Sequence, residues 1–374
     1  MRSTILILLL ITAFELPAQS IRLLFADRKY PEVVKQFAEK EKELDEEELY
    51  LLGFSFFQSG EDEKAIHFYD KAIAKGFDSA FVHFYKGIAY RYLDKMENAL
   101  AAFDKAIQLD SLQQQYVCEK AFTFYRMEKY DLALAAYEKA KKLPDTYQAP
   151  WYMIPHIWYV QGKDEEALKG LYEGLEHIAR DNEYYTKTLL EIGKIERLYK
   201  KDFVKSAVAY QKILKEDGTH FEACKRLTIV YNQLGQKNSA DSLFRILRNL
   251  YLENKLPEED MKFKRVQIAE YFWNDRVIMV YKNFDPPAKV PDIMLTGYLL
   301  DKKGEKVERI FQSEKTFEFT KDSPKHLLCE RGLQKGRYNY GIGWKTEEIS
   351  PSAFFELIQQ VLDGKIKPMA ASGF

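Results

Sequence analysis

The sequence predicts an all-α array of repeated helix pairs, followed by a small α+β domain with an antiparallel sheet. The first observation is a helical segment that returns every 34 residues: EKAIHFYDKAIAKG from Glu63, ENALAAFDKAIQLD from Glu97 and DLALAAYEKAKKLP from Asp131. The second is that this period stops near Lys262, where short β-branched and aromatic runs take over. The third is the composition, which is 46% hydrophobic and 30% charged over 374 residues, as is typical of globular domains.

The N-terminal residues are typical of a cleaved secretory signal peptide. Arg2 gives a positive start, and Ile5 to Phe14 form an apolar run interrupted only by Thr12. This run is too short to span a membrane, which takes about 20 apolar residues. The small residue Ala18 marks the cleavage position, so we expect a mature chain that begins at Gln19. No cysteine lies near the cut, so we expect no lipid anchor and a periplasmic or secreted location.

Superposition of the copies at this period aligns small and large residues in columns. Small columns allow one helix to approach another closely, and aromatic columns fill the space between helices. Because an isolated helix pair cannot bury both of its apolar faces, the copies are expected to stack on one another. The columns are Gly53, Gly87 and Ala121; Ala65, Ala99, Ala133 and Ala167; Tyr69, Phe103 and Tyr137; Ala72, Ala106 and Ala140; and Phe56, Tyr90, Phe124 and Trp158.

These columns resemble the tetratricopeptide repeat, whose pattern is W-x-x-L-G-x-x-Y followed by A, F, A and P. Trp151 is the family's tryptophan in the fourth copy, whereas Pro155 stands where glycine is expected and predicts a kinked or shortened helix. The resemblance covers residues 20–252 and is strongest over 46–143. It implies a superhelix of about six to seven helix pairs, of which the outer ones are degenerate.

The connections between the two helices of a copy carry a distinctive signal. Gly60 and Gly162 lie where a residue of left-handed conformation ends the first helix. The segments YLDKMENA and RMEKYDLA occupy the same place without glycine. We therefore expect a non-glycine residue to adopt this conformation in those two copies.

The region after the repeats predicts a different architecture. Short runs such as DRVIMVYKNF, DIMLTGYLLD, KVERIFQSEK and RYNYGIGW predict antiparallel strands, with a hairpin turn at Gly304. Ser350 and Pro351 predict the start of one further helix. The chain is thus expected to comprise a signal peptide (1–18), a helical-repeat domain (19–252) and a C-terminal α+β domain (263–374), which resembles no family that we recognise.

The sequence offers no pattern of catalytic, metal-binding or cofactor-binding residues. Its six histidines lack zinc-ligand spacing, and it has no phosphate-binding loop, nucleophile elbow or calcium loop. Cys118, Cys224 and Cys329 are too widely spaced for a disulfide framework, so we expect buried thiols. The net charge is only −1, so it provides no electrostatic attraction to nucleic acid or to an anionic membrane surface. We also expect no membrane-spanning helix.

The resemblance also implies which side chains line a binding groove. In this family the first helix of each pair forms the concave inner surface, and large exposed aromatic patches mark binding surfaces. Two alternatives remain open: packing of these rings between copies, and coverage of the groove by the chain's own C-terminal region. The residues expected to contact a partner are Tyr50, Phe54, Phe57, Phe81, Phe84, Arg91, Phe122, Tyr125, Arg126, Tyr152, His156 and Tyr159.

We therefore expect an exported, non-enzymatic scaffold or adaptor that binds a partner protein or an extended peptide and needs no cofactor. Two alternatives come from other classes: a carbohydrate-binding protein of a nutrient-uptake system, and a C-terminal enzymatic domain tethered to the repeat scaffold. Aromatic platforms also stack on sugars, but the predicted groove wall is poor in the Asp, Asn and Arg side chains that sugar sites need. The sequence indicates neither the identity of the partner nor the oligomeric state.

Overall fold

The computed structural model describes residues 20–144, 147–273, 276–284, 293–300, 306–314, 336–339 and 344–347. The chain divides into two compact units between Gln161 and Gly162. The predicted signal peptide, the turn at Gly304, Cys329 and the helix expected from Ser350 lie outside the described residues. None of the described helices is long and apolar enough to cross a membrane.

The first unit is built from consecutive antiparallel helices. Helix α3 packs on α4, α5 on α6 and α7 on α8, and each pair contacts the next through α4 and α5, α6 and α7, and α8 and α9. A short 3₁₀ segment, Ala38–Glu43, separates α2 from α3. The helices are α1 Ile21–Ala26, α2 Tyr30–Phe37, α3 Glu46–Gln58, α4 Asp62–Ala74, α5 Ala80–Tyr92, α6 Met96–Leu109, α7 Gln114–Arg126, α8 Tyr130–Lys141 and α9 Ala149–Val160.

The start of α3 shows how the local sequence defines a helix end. The Asp45 carboxylate accepts from the Glu48 amide at 2.8 Å, and the Glu48 carboxylate accepts from the Asp45 amide at 3.1 Å. This reciprocal pair satisfies two backbone donors that the helix itself leaves without partners. Helix α9 passes through Pro155 and spans 12 residues, as many as α8, so the kink or shortening expected at this proline stays a prediction.

The expected left-handed residues occur between the helices of each copy. Gly60 and Gly162 both have φ of 75°. The two copies without glycine place Asp94 at φ 59° and Glu128 at φ 58° in the same position. The prediction is confirmed. The left-handed conformation between the two helices is therefore kept even in copies where the residue is not glycine, for which this conformation is unfavourable.

The interior of each pair depends on a close approach between a ring and a helix backbone. A Cβ atom added at Gly53 would lie 2.9 Å from Cδ1 of Tyr69, and one added at Gly87 would lie 2.7 Å from Cε1 of Phe103. Both rings are fully buried, as is the alanine column represented by Ala99. The column that contains Gly53 and Gly87 and the column that contains Tyr69 and Phe103 therefore form the two sides of one packing contact.

The second unit continues the helical pairs and ends in a sheet. The six strands within its described residues form an antiparallel meander in chain order, which confirms the predicted antiparallel sheet. A π-helical turn, Glu196–Lys200, follows α11 and ends at Lys201 in the left-handed region. The elements are α10 Asp164–His177, α11 Glu183–Ile195, α12 Phe203–Glu216, α13 Phe221–Gln233, α14 Lys237–Leu252, α15 Glu258–Phe263, β1 Arg265–Trp273, β2 Arg276–Asn283, β3 Ile293–Leu300, β4 Lys306–Glu314, β5 Gly336–Asn339 and β6 Trp344–Glu347.

Polar side chains of α13 donate hydrogen bonds to backbone carbonyl groups of β1, the first strand of the sheet. The Asn232 side-chain amide donates to the carbonyl of Ile268 at 2.9 Å, and the Gln233 amide donates to the carbonyl of Glu270. The Glu270 carboxylate also forms a buried ion pair with Arg197 of the π-helical turn. These contacts join the sheet to the preceding helices within this unit. The division into domains at 252 and 263 stays a prediction.

We predict that replacing Gly87 with alanine lowers the free energy of unfolding by about 1–3 kcal/mol, because the new methyl group would collide with the Phe103 ring. Urea denaturation followed by circular dichroism measures this loss. The matched control is the same substitution in a Phe103→Leu background. There the ring is absent, and alanine should gain up to about 1 kcal/mol from its higher helix propensity. A full loss in both backgrounds would contradict the proposed contact.

Candidate partner-binding surface

The first helices of the copies form one continuous face of the first unit. Helix α3 contacts α5, α5 contacts α7 and α7 contacts α9. We call the exposed and half-buried side chains of these helices the first-helix face. The residues expected to bind a partner all come from these four helices, but they lie in five different environments.

At the N-terminal end of this face, the chain covers its own rings. The ring centroid of Phe54 lies 5.4 Å from that of Phe25 and 5.7 Å from that of Tyr30, both of which belong to the N-terminal helices α1 and α2. Phe54 also meets Tyr85 edge to face at 4.7 Å. Tyr50 is half-buried beside Phe54, and burial raises the pKa of its hydroxyl. Self-coverage therefore occurs here, but it comes from the N-terminal helices.

The second environment is the interior between copies. Phe84 is only 3% exposed and lies 4.8 Å from the ring of Tyr116 in α7 and 6.1 Å from that of Phe103. Burial raises the pKa of Tyr116 to about 12. Cys118, which has the same register position in the next copy, is also buried. This position faces the neighbouring first helix, so Phe84 contributes to the core and its predicted exposure is not found.

The third environment contains a compensated charge. Arg91 is 8% exposed, and its Nη1 lies 2.6 Å from Oε2 of Glu119 in α7. Its guanidinium lies 4.9 Å from the ring centroid of Phe122, a cation–π distance. The other carboxylate oxygen of Glu119 accepts from the Tyr147 hydroxyl at 3.3 Å. Arg91 therefore links two copies and cannot offer an uncompensated positive charge to a partner.

The fourth environment is a cluster of half-buried rings on α7 and α9, which we call the ring ladder: Phe122, Tyr125, His156 and Tyr152. The Tyr125 hydroxyl lies 3.0 Å from Nε2 of His156, and the Tyr152 hydroxyl lies 3.4 Å from Nδ1. A neutral imidazole donates through one nitrogen and accepts through the other, so it can bond to both hydroxyls at once. The Tyr152 and His156 rings are stacked at 5.3 Å, and those of Phe122 and Tyr125 at 5.9 Å.

The remaining predicted residues lie at the margins. Phe81 is 56% exposed in the first turn of α5, and Arg126 is exposed at the end of α7. Tyr159 is half-buried near the end of α9. Phe57 stacks at 6.0 Å on Tyr92, which is 66% exposed.

Sequence reasoning missed Tyr85, Glu119 and Tyr147, which complete these clusters. Tyr85 and Glu119 directly follow Phe84 and Cys118, which share one register position, and Tyr147 lies in the loop before α9. The opposite charges of Arg91 and Glu119 on adjacent first helices were the available signal. Among the described residues, no group of three or more His, Cys, Asp or Glu side chains is arranged to hold a metal ion.

Comparisons with known proteins found a family model and solved structures that are similar to this chain. A family model of the tetratricopeptide repeat matches residues 83–111. The C-terminal part of a TPR repeat-containing protein from Cytophaga hutchinsonii is 14% identical, with a TM-score of 0.50, and the match covers 65% of this chain and 97% of that one. PilF from Pseudomonas aeruginosa is 18% identical, with a TM-score of 0.46 and coverages of 58% and 96%. MamA is 20% identical, with a TM-score of 0.40 and coverages of 43% and 95%.

No curated protein sequence matches the chain. At these identities the likeness to the Cytophaga hutchinsonii structure shows the fold and nothing finer. Together with the family match, it confirms the repeats recognised from the alanine, glycine and aromatic columns.

We predict that Phe84→Ala lowers the free energy of unfolding by about 3–5 kcal/mol, because a buried ring leaves a cavity between two copies. Tyr125→Ala, which truncates a half-buried ring on the same face, should cost clearly less. Urea denaturation of both variants gives the comparison. Equal losses would mean that the ring ladder belongs to the core as much as Phe84 does.

Proposed function

We propose that this chain, which carries tetratricopeptide repeats, is an exported, non-catalytic scaffold that binds a protein or peptide partner through its first-helix face. The observation that carries the proposal is the ring ladder on α7 and α9. Its rings are half-buried, stacked in pairs and joined by hydrogen bonds, and they lie on two first helices that are neighbours.

The energetic logic favours binding over a purely structural role. The helix pairs already have their own interior contacts in the column of buried rings and small residues, such as Phe103 on Gly87. The ring ladder adds area that a partner can desolvate at little entropic cost, because the rings are fixed before binding. Tyrosine and other aromatic side chains are enriched among the few residues that dominate binding energy.

The location of the binding surface shifts from the sequence expectation. Its N-terminal part is covered by Phe25 and Tyr30, and Phe84 lies inside. The proposed contact surface is therefore centred on α7 and α9, with Arg126 exposed at one end of α7. The absence of a nucleic-acid partner belongs to the same proposal, since the chain has a net charge of −1.

We predict that Tyr125→Ala and Phe122→Leu weaken partner capture, by roughly thirtyfold for a hot-spot ring worth about 2 kcal/mol. Immobilised mature protein and its variants are exposed to envelope extract, and the proteins retained by each are quantified by mass spectrometry. The matched control is Leu132→Ala, which truncates a side chain that is 51% exposed on the second helix α8. Proteins lost with both ladder variants but kept by the control support the proposal. An unchanged profile with all variants would place the binding surface elsewhere.

We further predict that the exported protein begins at Gln19, because Ala18 ends a small-residue cleavage site after an apolar run. N-terminal sequencing of the protein purified from cell fractions gives the answer. An intact Met1 in the cytosolic fraction would contradict export and would also change the pool of possible partners.

A further inference from the structure

A cavity of about 380 Å³ opens in the first unit, between the 3₁₀ segment and the last turn of α4. Small-molecule sites occupy volumes of about 300–1,000 Å³, so the cavity is large enough for a small ligand. It lies outside the first-helix face, because the one lining residue that comes from a first helix is buried. The lining side chains are Glu41, Lys42, Leu49, Lys71, Ala74 and Lys75.

The cavity lies where the N-terminal copy departs from the regular helix pair. Arg28 has a φ of 57° between α1 and α2, as Gly60 has a φ of 75° between α3 and α4, so α2 is the second helix of its pair. Helix α2 spans 8 residues, whereas α4 spans 13 and α6 spans 14. The chain continues from α2 as the 3₁₀ segment, in which Lys40 has a non-helical φ of −100° and ψ of 18°. One wall of the cavity is therefore irregular backbone, and the other is a regular helix.

The cavity carries an excess of positive charge. Lys71 forms an ion pair with Glu41, and this ammonium holds the pKa of the Glu41 carboxyl below its ordinary value. Lys75 donates to the carbonyl oxygen of Leu44 at 2.8 Å, which is a neutral partner. Within the part of the chain that the structure describes, no carboxylate forms an ion pair with Lys42 or Lys75. Their two positive charges are therefore not compensated there.

The same cavity offers apolar contact beside these charges. Leu49, which is 1% exposed, and Ala74 line it together with the lysines. An ammonium group has three N–H donors and no acceptor. Lys75 uses one donor for the Leu44 carbonyl, so it keeps donors for a ligand. The cavity thus combines hydrogen-bond donors and positive charge with an apolar wall.

We propose that this cavity binds a small organic anion, whose carboxylate or phosphate head group is held by Lys42 and Lys75 and whose short apolar body packs on Leu49 and Ala74. Hydrogen bonds between an ammonium and an anionic oxygen are stronger than those between neutral groups. The carboxylate of Glu41 does not oppose such a ligand, because Lys71 neutralises it. A cationic ligand would meet like charges. The inference goes beyond the proposed function, which concerns the first helices.

The test is ligand-observed nuclear magnetic resonance with the full mature chain, in which titration gives the dissociation constant of each probe. Hexanoate and hexyl phosphate carry an anionic head group on the same apolar body. Acetate carries the head group alone, and hexylamine carries the opposite charge. We expect saturable binding of both hexyl anions and markedly weaker binding of acetate and hexylamine. The tighter of the two hexyl anions identifies the preferred head group.

Three variants locate the binding within the chain. Lys42→Gln removes an exposed and uncompensated charge, and should weaken binding of the hexyl anions about tenfold, as the loss of one charged hydrogen bond predicts. Ala74→Leu fills the cavity without changing its charge and should also weaken their binding. The matched control is Lys139→Gln, which removes an exposed lysine in the last turn of α8 and should bind as wild type. Melting curves show whether each variant remains folded.

Failure of both hexyl anions to bind saturably overturns the inference. Hexylamine binding as tight as theirs also overturns it, as does binding that Lys42→Gln leaves unchanged. Equal weakening by Lys42→Gln and Lys139→Gln would mean a general attraction to surface charge and would overturn it too. Partner capture through the ring ladder is judged separately, since none of the cavity residues belongs to the ladder.

Discussion

The helical part of the molecule depends on one kind of contact. An aromatic ring of one helix lies directly against a glycine of the helix with which it is paired. Tyr69 lies on Gly53, Phe103 on Gly87 and Tyr210 on Gly193, at distances that leave no room for a methyl group. Each contact sets how closely the two helices of a pair approach. Because Gly53 and Gly87 lie one period of the sequence apart, the first two of these pairs present their first helices in the same way.

The first-helix face follows from that constraint. Once the second-helix ring fills the space within a pair, residues at other positions of the first helix must either pack between copies or remain outward. Phe84 takes the first route, against Tyr116. Tyr125 is only half-buried, and its hydroxyl lies 3.0 Å from Nε2 of His156 on the next first helix. The proposed partner surface is thus centred on side chains that are less buried than Phe84.

Buried charge connects neighbouring elements in both units. Arg91 with Glu119 joins two copies in the first unit, and Arg197 with Glu270 joins the π-helical turn to β1 in the second. A buried ion pair adds little net stability, but removing one partner leaves the other charge uncompensated. Such pairs therefore define which elements lie together more than they increase stability.

The sequence by itself determined the repeat period, the helix pairs, the left-handed residues at Gly60 and Glu128, and the antiparallel strands after the repeats, because these follow from local conformational preference and from the spacing of small and apolar residues. Only the tertiary structure decided which of the predicted groove positions are buried. A ring at one register position looks the same in the sequence whether a neighbour covers it or not. The burial of Phe84, the cover that Phe25 provides for Phe54, and the bond between Tyr125 and His156 depend on distances between helices that are far apart in the chain.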